Sequence, residues 1–197
     1  YTTLFRSQNK RMGDRVMDFI TRDDTILVAI DFQERLMPVM QDKEELAERS
    51  ARLLKGMKAL GVPVLVTQQY TKGIGETVEQ IAEALGDFEH IEKTSFGCMN
   101  NGEFAEKIKK SGKKNVVVCG IEAHICVMQT VLQLMNEGYR VYLAADCVSS
   151  RNKNDMSFGI MRMRDAGAVV TTYEAILYEM LMDSKAEGFK EISKIVK

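Results

Sequence analysis

The chain has 197 residues, of which 45% are hydrophobic and 28% charged, and its formal net charge at pH 7 is −1. This size and composition are typical of one globular domain with a buried core, and they exclude a fibre or a disordered tail. Because the charge is near zero and contains no long run of one sign, we expect neither a nucleic-acid partner nor a membrane surface. No apolar run approaches the length of about 18 residues that a membrane-spanning helix needs, and four sparse cysteines favour reduced thiols, so we expect a cytoplasmic protein.

Residues 1–24 mix charges of both signs without a sustained period, and we interpret them as an N-terminal extension. Residues 25–197 are predicted to form one domain, in which short β-branched runs alternate with amphipathic segments of helical length. The predicted strands are Thr25–Ile30, Pro63–Thr67, His90–Glu92, Asn115–Cys119, Arg140–Ala145 and Ala168–Thr172. The predicted helices are Lys43–Leu60, Glu76–Leu85, Glu103–Lys110, Ile125–Asn136, Asp155–Asp165 and Glu174–Met182.

These strands are too apolar to leave one face of a sheet in water. The alternation therefore predicts an α/β fold of three layers, with a parallel sheet covered by helices on both sides. In such folds ligands bind beyond the carboxyl ends of the strands, where the loops that lead into the helices converge. Reactive residues that directly follow strands are consequently the first candidates for a functional site.

Three reactive side chains follow predicted strands. Asp31 comes directly after the first strand, Lys93 after the third, and Cys126 where the fourth strand turns into a helix. A thiolate is a nucleophile, a nearby cation lowers the pKa of a thiol, and a carboxylate can take the thiol proton and return it to a leaving amine. Backbone N–H groups at the turn can stabilise an oxyanion, so this chemistry requires no metal.

Each of these residues also has a purely structural interpretation. An Asp after a strand often caps a turn, and Asp146 follows the fifth predicted strand just as Asp31 follows the first. A single Lys is usually solvated. A single Cys is usually a small core residue, as we expect for Cys119. In addition, residues 123–136 contain no Asp, Glu, Lys or Arg. This predicts a buried helix, and burial alone would raise the pKa of the Cys126 thiol.

Three motifs resemble the isochorismatase-like hydrolases, in their cysteine-hydrolase branch. They are Ala29-Ile30-Asp31-Phe32-Gln33, Ile91-Glu92-Lys93-Thr94-Ser95-Phe96 and Gly120-Ile121-Glu122-Ala123-His124-Ile125-Cys126-Val127, in the order and positions typical of that family. The resemblance implies a Rossmann-like sheet of six parallel strands and an Asp-Lys-Cys triad of Asp31, Lys93 and Cys126. It also implies a cis peptide bond between Ile121 and Glu122, and an oxyanion hole formed by the backbone N–H groups of Glu122 and Cys126.

By the same resemblance, the activity is hydrolysis of a small amide or related C–N bond through a thioester intermediate, without a cofactor. Nicotinamidases of this family bind a metal with an Asp and histidines after the second strand, whereas residues 67–75 here contain neither. We therefore expect no metal, and this stretch is more similar to the isochorismatase-domain-containing proteins of unassigned substrate. Four residues after strands are predicted to wall the substrate pocket: Phe32, Gln69, Tyr70 and Phe96.

The expected partners are a small-molecule substrate and further copies of the same chain. The chain has 13 methionines, and with the uncharged helix and the family's tendency to assemble they favour a homo-oligomer. Two other functions stay open from the sequence alone. One is a non-catalytic scaffold that retains the fold, and the other is a thiol redox sensor that pairs Cys126 with Cys98 or Cys147, provided that the sulfurs come within bonding distance.

Overall fold

A six-stranded sheet, parallel throughout, forms the centre of the protein. The structure is a computed structural model and describes residues 19–197. The strand order is β3-β2-β1-β4-β5-β6, and helices cover both faces of the sheet, which confirms the predicted single-domain fold. The strands are β1 (Thr25–Ile30), β2 (Val64–Gln69), β3 (His90–Lys93), β4 (Asn115–Ile121), β5 (Arg140–Ser149) and β6 (Val169–Thr171).

All six predicted helical segments contain a helix in the structure, and two further helices, α2 and α8, were not expected. The helices are α1 (Lys43–Ala59), α2 (Thr71–Ile74), α3 (Glu79–Leu85), α4 (Gly102–Lys110), α5 (Met128–Asn136), α6 (Lys153–Ala166), α7 (Tyr173–Leu181) and α8 (Phe189–Ile195). A π-helical turn, Ala123–Val127, precedes α5. No helix within residues 19–197 is long and apolar enough to cross a membrane.

The alternation of side chains along the strands creates two separate cores. On β1, Leu27 and Ala29 pack on the face covered by α1, α3 and α7, while Ile26, Val28 and Ile30 pack on the face covered by α4, α5 and α6. Both sets are almost completely buried. This explains why the strands are apolar at every position, as parallel sheets with two covered faces require.

Strands β1 and β4 are neighbours although β2 and β3 lie between them in the sequence. The chain therefore reverses its direction of winding at this pair, which is where open α/β sheets form their ligand sites. The close approach of the two strands depends on Gly120, whose φ is +144°, because a Cβ there would lie 2.4 Å from the carbonyl oxygen of Ile30. Both Asp31 and Cys126 follow this pair of strands.

The predicted N-terminal extension, residues 1–24, is only partly covered by the structure, since residues 1–18 lie outside the described part. Ile20 is fully buried in the core on the α1 side, and its N–H donates a hydrogen bond to Glu179 Oε1 at 2.9 Å. A short 3₁₀ turn, Arg22–Asp24, then leads into β1. The packed part of the chain thus begins several residues before Thr25.

Candidate active site

A fully buried ion pair lies at the carboxyl end of the sheet. The Nζ of Lys93 is 2.6 Å from Oδ2 of Asp31, and neither side chain has any exposed surface. Thr67 donates a hydrogen bond to the other carboxylate oxygen, Oδ1, at 2.7 Å. The structure therefore brings together two of the predicted triad residues, although β2 separates the strands that carry them.

The pleat of β2 explains how Lys93 reaches Asp31 from the edge of the sheet. Thr67 and Gln69 are two residues apart and so point to the same face, and Gln69 is the register partner of Lys93 on β3. The side-chain oxygen of Gln69 accepts a hydrogen bond from Lys93 Nζ at 2.7 Å, and the carbonyl of Ser95 accepts a further one at 3.3 Å. All three N–H donors of the ammonium group consequently have acceptors inside the protein.

Gln33 fixes the end of β2 through its side-chain amide. Its Oε1 accepts a hydrogen bond from the N–H of Gln69 at 2.6 Å, and its Nε2 donates to the carbonyls of Gln69 at 3.1 Å and Gly75 at 2.7 Å. Gln33 is completely buried, as is Thr67. Neither residue was predicted as part of the site, yet β2 ends in three consecutive polar residues, Thr67, Gln68 and Gln69, after an apolar start, and that change was a usable signal for Thr67.

Cys126 lies in the π-helical turn and is 6% exposed. Burial raises the pKa of its thiol, and the negative charge of Asp31 and a side-chain hydrogen bond to Asp31 raise it further, whereas Lys93 acts to lower it. Burial and Asp31 thus outweigh the effect of Lys93, and the pKa of the Cys126 thiol is raised. The ammonium group is already paired with a carboxylate, so its net effect on the thiol is small compared with the loss of water.

The pKa of Lys93 is raised. Burial acts to lower it, but the interactions with Asp31 and with the Cys126 thiol outweigh that effect. The resting site thus contains a lysine that stays charged at neutral pH beside a thiol that stays protonated. Any thiolate must form by transfer of its proton within the site.

The predicted cis bond between Ile121 and Glu122 is wrong, because all the peptide bonds of the described residues are trans. The chain instead changes direction by rotation about its single bonds, at Gly120 (φ +144°) and at Glu122 (φ 0°, ψ 97°). The carbonyl of Glu122 then accepts hydrogen bonds from the N–H groups of Ile125 at 3.0 Å and Val127 at 3.3 Å. These two contacts shape the turn that contains Cys126.

The four predicted pocket residues occupy different environments. Gln69 contacts Lys93 as described, and Tyr70 and Phe96 follow the same strand ends with about half of their surface exposed. Phe32, in contrast, is 2% exposed and packs into the core on the α1 side. Asp31, which precedes it, has a left-handed backbone (φ 57°). Phe32 thus lies in this core and does not line an open pocket.

The remaining cysteines are also buried. Cys119 is fully buried in the core, as expected, and Cys147 packs in the core on the opposite face of the sheet from Cys126. Cys98 lies closer, because the hydroxyl of Thr130 accepts a hydrogen bond from the Cys98 N–H at 3.0 Å and donates one to the Cys126 carbonyl at 2.7 Å. Burial raises the pKa of the Cys98 thiol to about 11.

Comparison with known proteins identifies several similar chains. Residues 25–175 match the model of the isochorismatase domain. Isochorismatase domain-containing protein 1 of Salmo salar is 36% identical over 88% of this chain, which spans 61% of that protein. The structure of MAR1 ribonuclease from Caenorhabditis elegans superimposes with a TM-score of 0.85 at 35% identity, covering 91% of this chain and 92% of that one.

A more distant structure, the YcaC gene product of Escherichia coli, has a TM-score of 0.84 at 21% identity, covering 90% of each chain. It is described as an octameric hydrolase of unknown specificity. At this identity the likeness shows a common fold. The MAR1 structure and the Salmo salar protein carry the stronger sequence relationship.

We expect the rate at which iodoacetamide alkylates native Cys126 to rise with pH and to reach its midpoint above the free-thiol pKa of about 8.5. Burial and Asp31 both favour the protonated thiol. Asp31→Asn removes the negative charge and should move the midpoint to lower pH. The rate at Cys126 is measured between pH 6 and pH 11 by peptide mass spectrometry.

Asp146→Asn is the matched control, since Asp146 lies within β5 and accepts a hydrogen bond at 2.9 Å from the N–H of Tyr173, a residue on the opposite face of the sheet from Cys126. It should leave the midpoint unchanged. A wild-type midpoint below about 8.5, or an Asp31→Asn midpoint at higher pH, would contradict the electrostatic account.

Proposed function

Since the chain belongs to the isochorismatase domain family, which consists largely of hydrolases, we propose that it is a cysteine hydrolase of a small amide or related C–N bond. The observation that carries the proposal is the buried Asp31–Lys93 pair, 2.6 Å apart, beside the buried Cys126 thiol, whose pKa is raised by burial and by Asp31. A base and a nucleophile in hydrogen-bond contact, with the base oriented by a third group, form the usual arrangement of nucleophilic catalysis.

In the first half of the reaction, Asp31 takes the thiol proton as Sγ of Cys126 attacks the substrate carbonyl carbon. The oxyanion that forms accepts hydrogen bonds from the backbone N–H groups of Glu122 and Cys126. When the C–N bond breaks, Asp31 returns the proton to the leaving amine, and the acyl group remains on Sγ as a thioester. Lys93 stays charged throughout and holds the carboxylate in place.

In the second half, Asp31 takes a proton from water, and the resulting hydroxide oxygen attacks the thioester carbonyl. The C–S bond then breaks, the carboxylic acid leaves, and the proton returns to Sγ. Gln69 and Ser95 act as positioning residues here, because they occupy the two Lys93 donors that Asp31 does not use. No step requires a metal or an organic cofactor, and the proposed substrate is a small molecule.

Hydrolysis of RNA is a second possibility suggested by the name of the MAR1 relative. A phosphodiester requires cations that are free to contact phosphate oxygens. The ammonium group of Lys93 already has three acceptors within the protein, and the whole chain has a net charge of −1. These observations favour a carbonyl substrate over a phosphodiester.

We expect 4-nitrophenyl acetate, an activated neutral ester, to acetylate Cys126 and the acyl group then to be hydrolysed. Cys126→Ala should abolish the acetyl adduct, and Asp31→Asn should slow its formation by about 10²–10⁴-fold, the usual contribution of a general base. The adduct is measured by intact and peptide mass after rapid quenching, and its release by hydroxylamine identifies a thioester.

Cys147→Ala is the matched control, because it removes a buried thiol on the other face of the sheet. It should acetylate at the wild-type rate. Acetylation spread evenly over the cysteines, or none at Cys126, would favour the alternative function of a non-catalytic scaffold.

We further propose that the protein is a homo-oligomer that associates through the face formed by α6 and the π-helical turn. Phe158 and Met161 on α6 are 68% and 45% exposed, and Ile125 and Met128, in and directly after the turn that packs against α6 at Gly159, are half-buried. Apolar surface of this kind commonly marks a protein interface. The octameric state of the YcaC product is consistent with assembly in this fold.

Light scattering should therefore give a mass that is a multiple of 22.2 kDa. Phe158→Glu should lower that mass, because it introduces a charge into the apolar face. Met182→Glu is the matched control, since Met182 is equally exposed, at 68%, but follows α7 on the other side of the sheet. A wild-type monomer, or equal effects of both substitutions, would contradict this interface.

A further inference from the structure

Two side-chain contacts join the turn after β4 to the loop after β5. The Nε of Arg151 donates a hydrogen bond to Oε1 of Glu122 at 2.5 Å, and Nδ1 of His124 is 2.9 Å from the hydroxyl of Ser150. Glu122 and His124 belong to the turn that contains Cys126. Ser150 and Arg151 follow the neighbouring strand. The turn is thus held from the side by residues that take no part in the proposed reaction.

The loop after β5 is itself firmly attached to the scaffold, through Gln41. The N–H of Gln41 donates to the Ser150 carbonyl at 3.2 Å, and its Nε2 donates to the Arg151 carbonyl at 2.9 Å. Its own carbonyl accepts a hydrogen bond from the Ser149 hydroxyl at 2.8 Å. Arg151 therefore extends from a backbone segment whose position is fixed before it contacts Glu122.

The carboxylate of Glu122 depends on this arginine. The side chain is 7% exposed, and Oε2 has no hydrogen-bond partner; Nδ1 of His124 lies 3.5 Å from it. The side chain of Arg151 is 60% exposed, so the pair joins a largely solvated cation to a buried anion. Removal of the arginine leaves a buried charge unpaired, which is far more costly than the loss of an exposed ion pair.

Glu122 holds the turn through its backbone and contacts Arg151 through its side chain. The carbonyl of Glu122 accepts the N–H groups of Ile125 and Val127, so it forms the first support of the π-helical turn. A displacement of the Glu122 Cα, caused by loss of the Arg151 contact with its carboxylate, moves the peptide groups on both sides of Glu122. The N–H groups assigned to the oxyanion belong to this segment.

We infer that Arg151 is a positioning residue for the oxyanion site: by holding the Glu122 carboxylate it fixes the direction of the Glu122 and Cys126 N–H groups. This inference rests on the proposed function and assigns a role to a residue outside the triad. Arg151 acts through Glu122. Substitution of Arg151 should consequently slow reactions of Cys126 Sγ that form an oxyanion. It should not slow reactions of the same sulfur that form none.

Two reagents separate these cases at Cys126. Acetylation by 4-nitrophenyl acetate passes through a tetrahedral oxyanion, whereas alkylation by iodoacetamide displaces iodide at a saturated carbon and forms none. Arg151→Met should lower the ratio of the acetylation rate to the alkylation rate by about tenfold or more, given that loss of one oxyanion donor costs about 10²–10³. Both rates are measured on Cys126 by peptide mass spectrometry.

Two further variants test the route through Glu122. Glu122→Gln/Arg151→Met removes the buried charge together with its partner, so it should recover part of the ratio that Arg151→Met alone loses. Arg151→Lys keeps a cation but not the Nε contact, and it should give an intermediate ratio. Circular dichroism and the alkylation rate show whether Arg151→Met folds. If it does not fold, Arg151→Lys provides the test in its place.

Arg164→Met is the matched control, because Arg164 is also 60% exposed and paired with a carboxylate, that of Asp165, at 3.2 Å. It should leave the ratio unchanged. An unchanged ratio in Arg151→Met and Arg151→Lys, with normal acetylation of the wild type, would overturn the role of Arg151 alone. Failure of the wild type to acetylate at Cys126 would overturn the proposed function and this role together.

Discussion

The buried ion pair between Asp31 and Lys93 is the constraint on which the rest of the site depends. Placing two charges where water cannot reach them is costly unless every donor and acceptor is satisfied. Here Thr67 and Lys93 each donate to one carboxylate oxygen, and Gln69 and Ser95 accept the remaining lysine protons. Polar contacts thus join the ends of β1, β2 and β3 to one another. These contacts fix the points at which the following loops begin.

The same pair determines the state of the nucleophile. Since Asp31 and Lys93 neutralise each other, no net positive charge is left to stabilise a thiolate, and burial raises the pKa of Cys126. In the proposed mechanism the site is therefore neutral at rest and becomes reactive when the thiol proton moves to Asp31. A thiol of high pKa is also intrinsically more nucleophilic once deprotonated. This arrangement suits a reaction in which the base returns the proton to a leaving amine.

Much of this could be predicted from the sequence. The alternation of apolar strands with helical segments places Asp31, Lys93 and Cys126 at one edge of a parallel sheet, and the absence of charge from residues 123–136 already indicated a buried thiol. The contacts of Gln33, and the contact of Glu122 with Arg151, join residues far apart in the sequence, so no local pattern reveals them. The trans bond at Glu122 was missed because the expectation came from resemblance and not from the local conformation of the chain.

The protonation state of Cys126 at neutral pH is the most direct test of the account. Infrared difference spectra of wild type minus Cys126→Ala, recorded in H₂O and in D₂O, isolate the S–H stretch of this thiol from those of the other three, which are common to both proteins. The account predicts a Cys126 S–H band at pH 7 that shifts on deuteration. Absence of that band in the folded wild-type protein would mean a resting thiolate and would contradict the proposed transfer of the proton to Asp31.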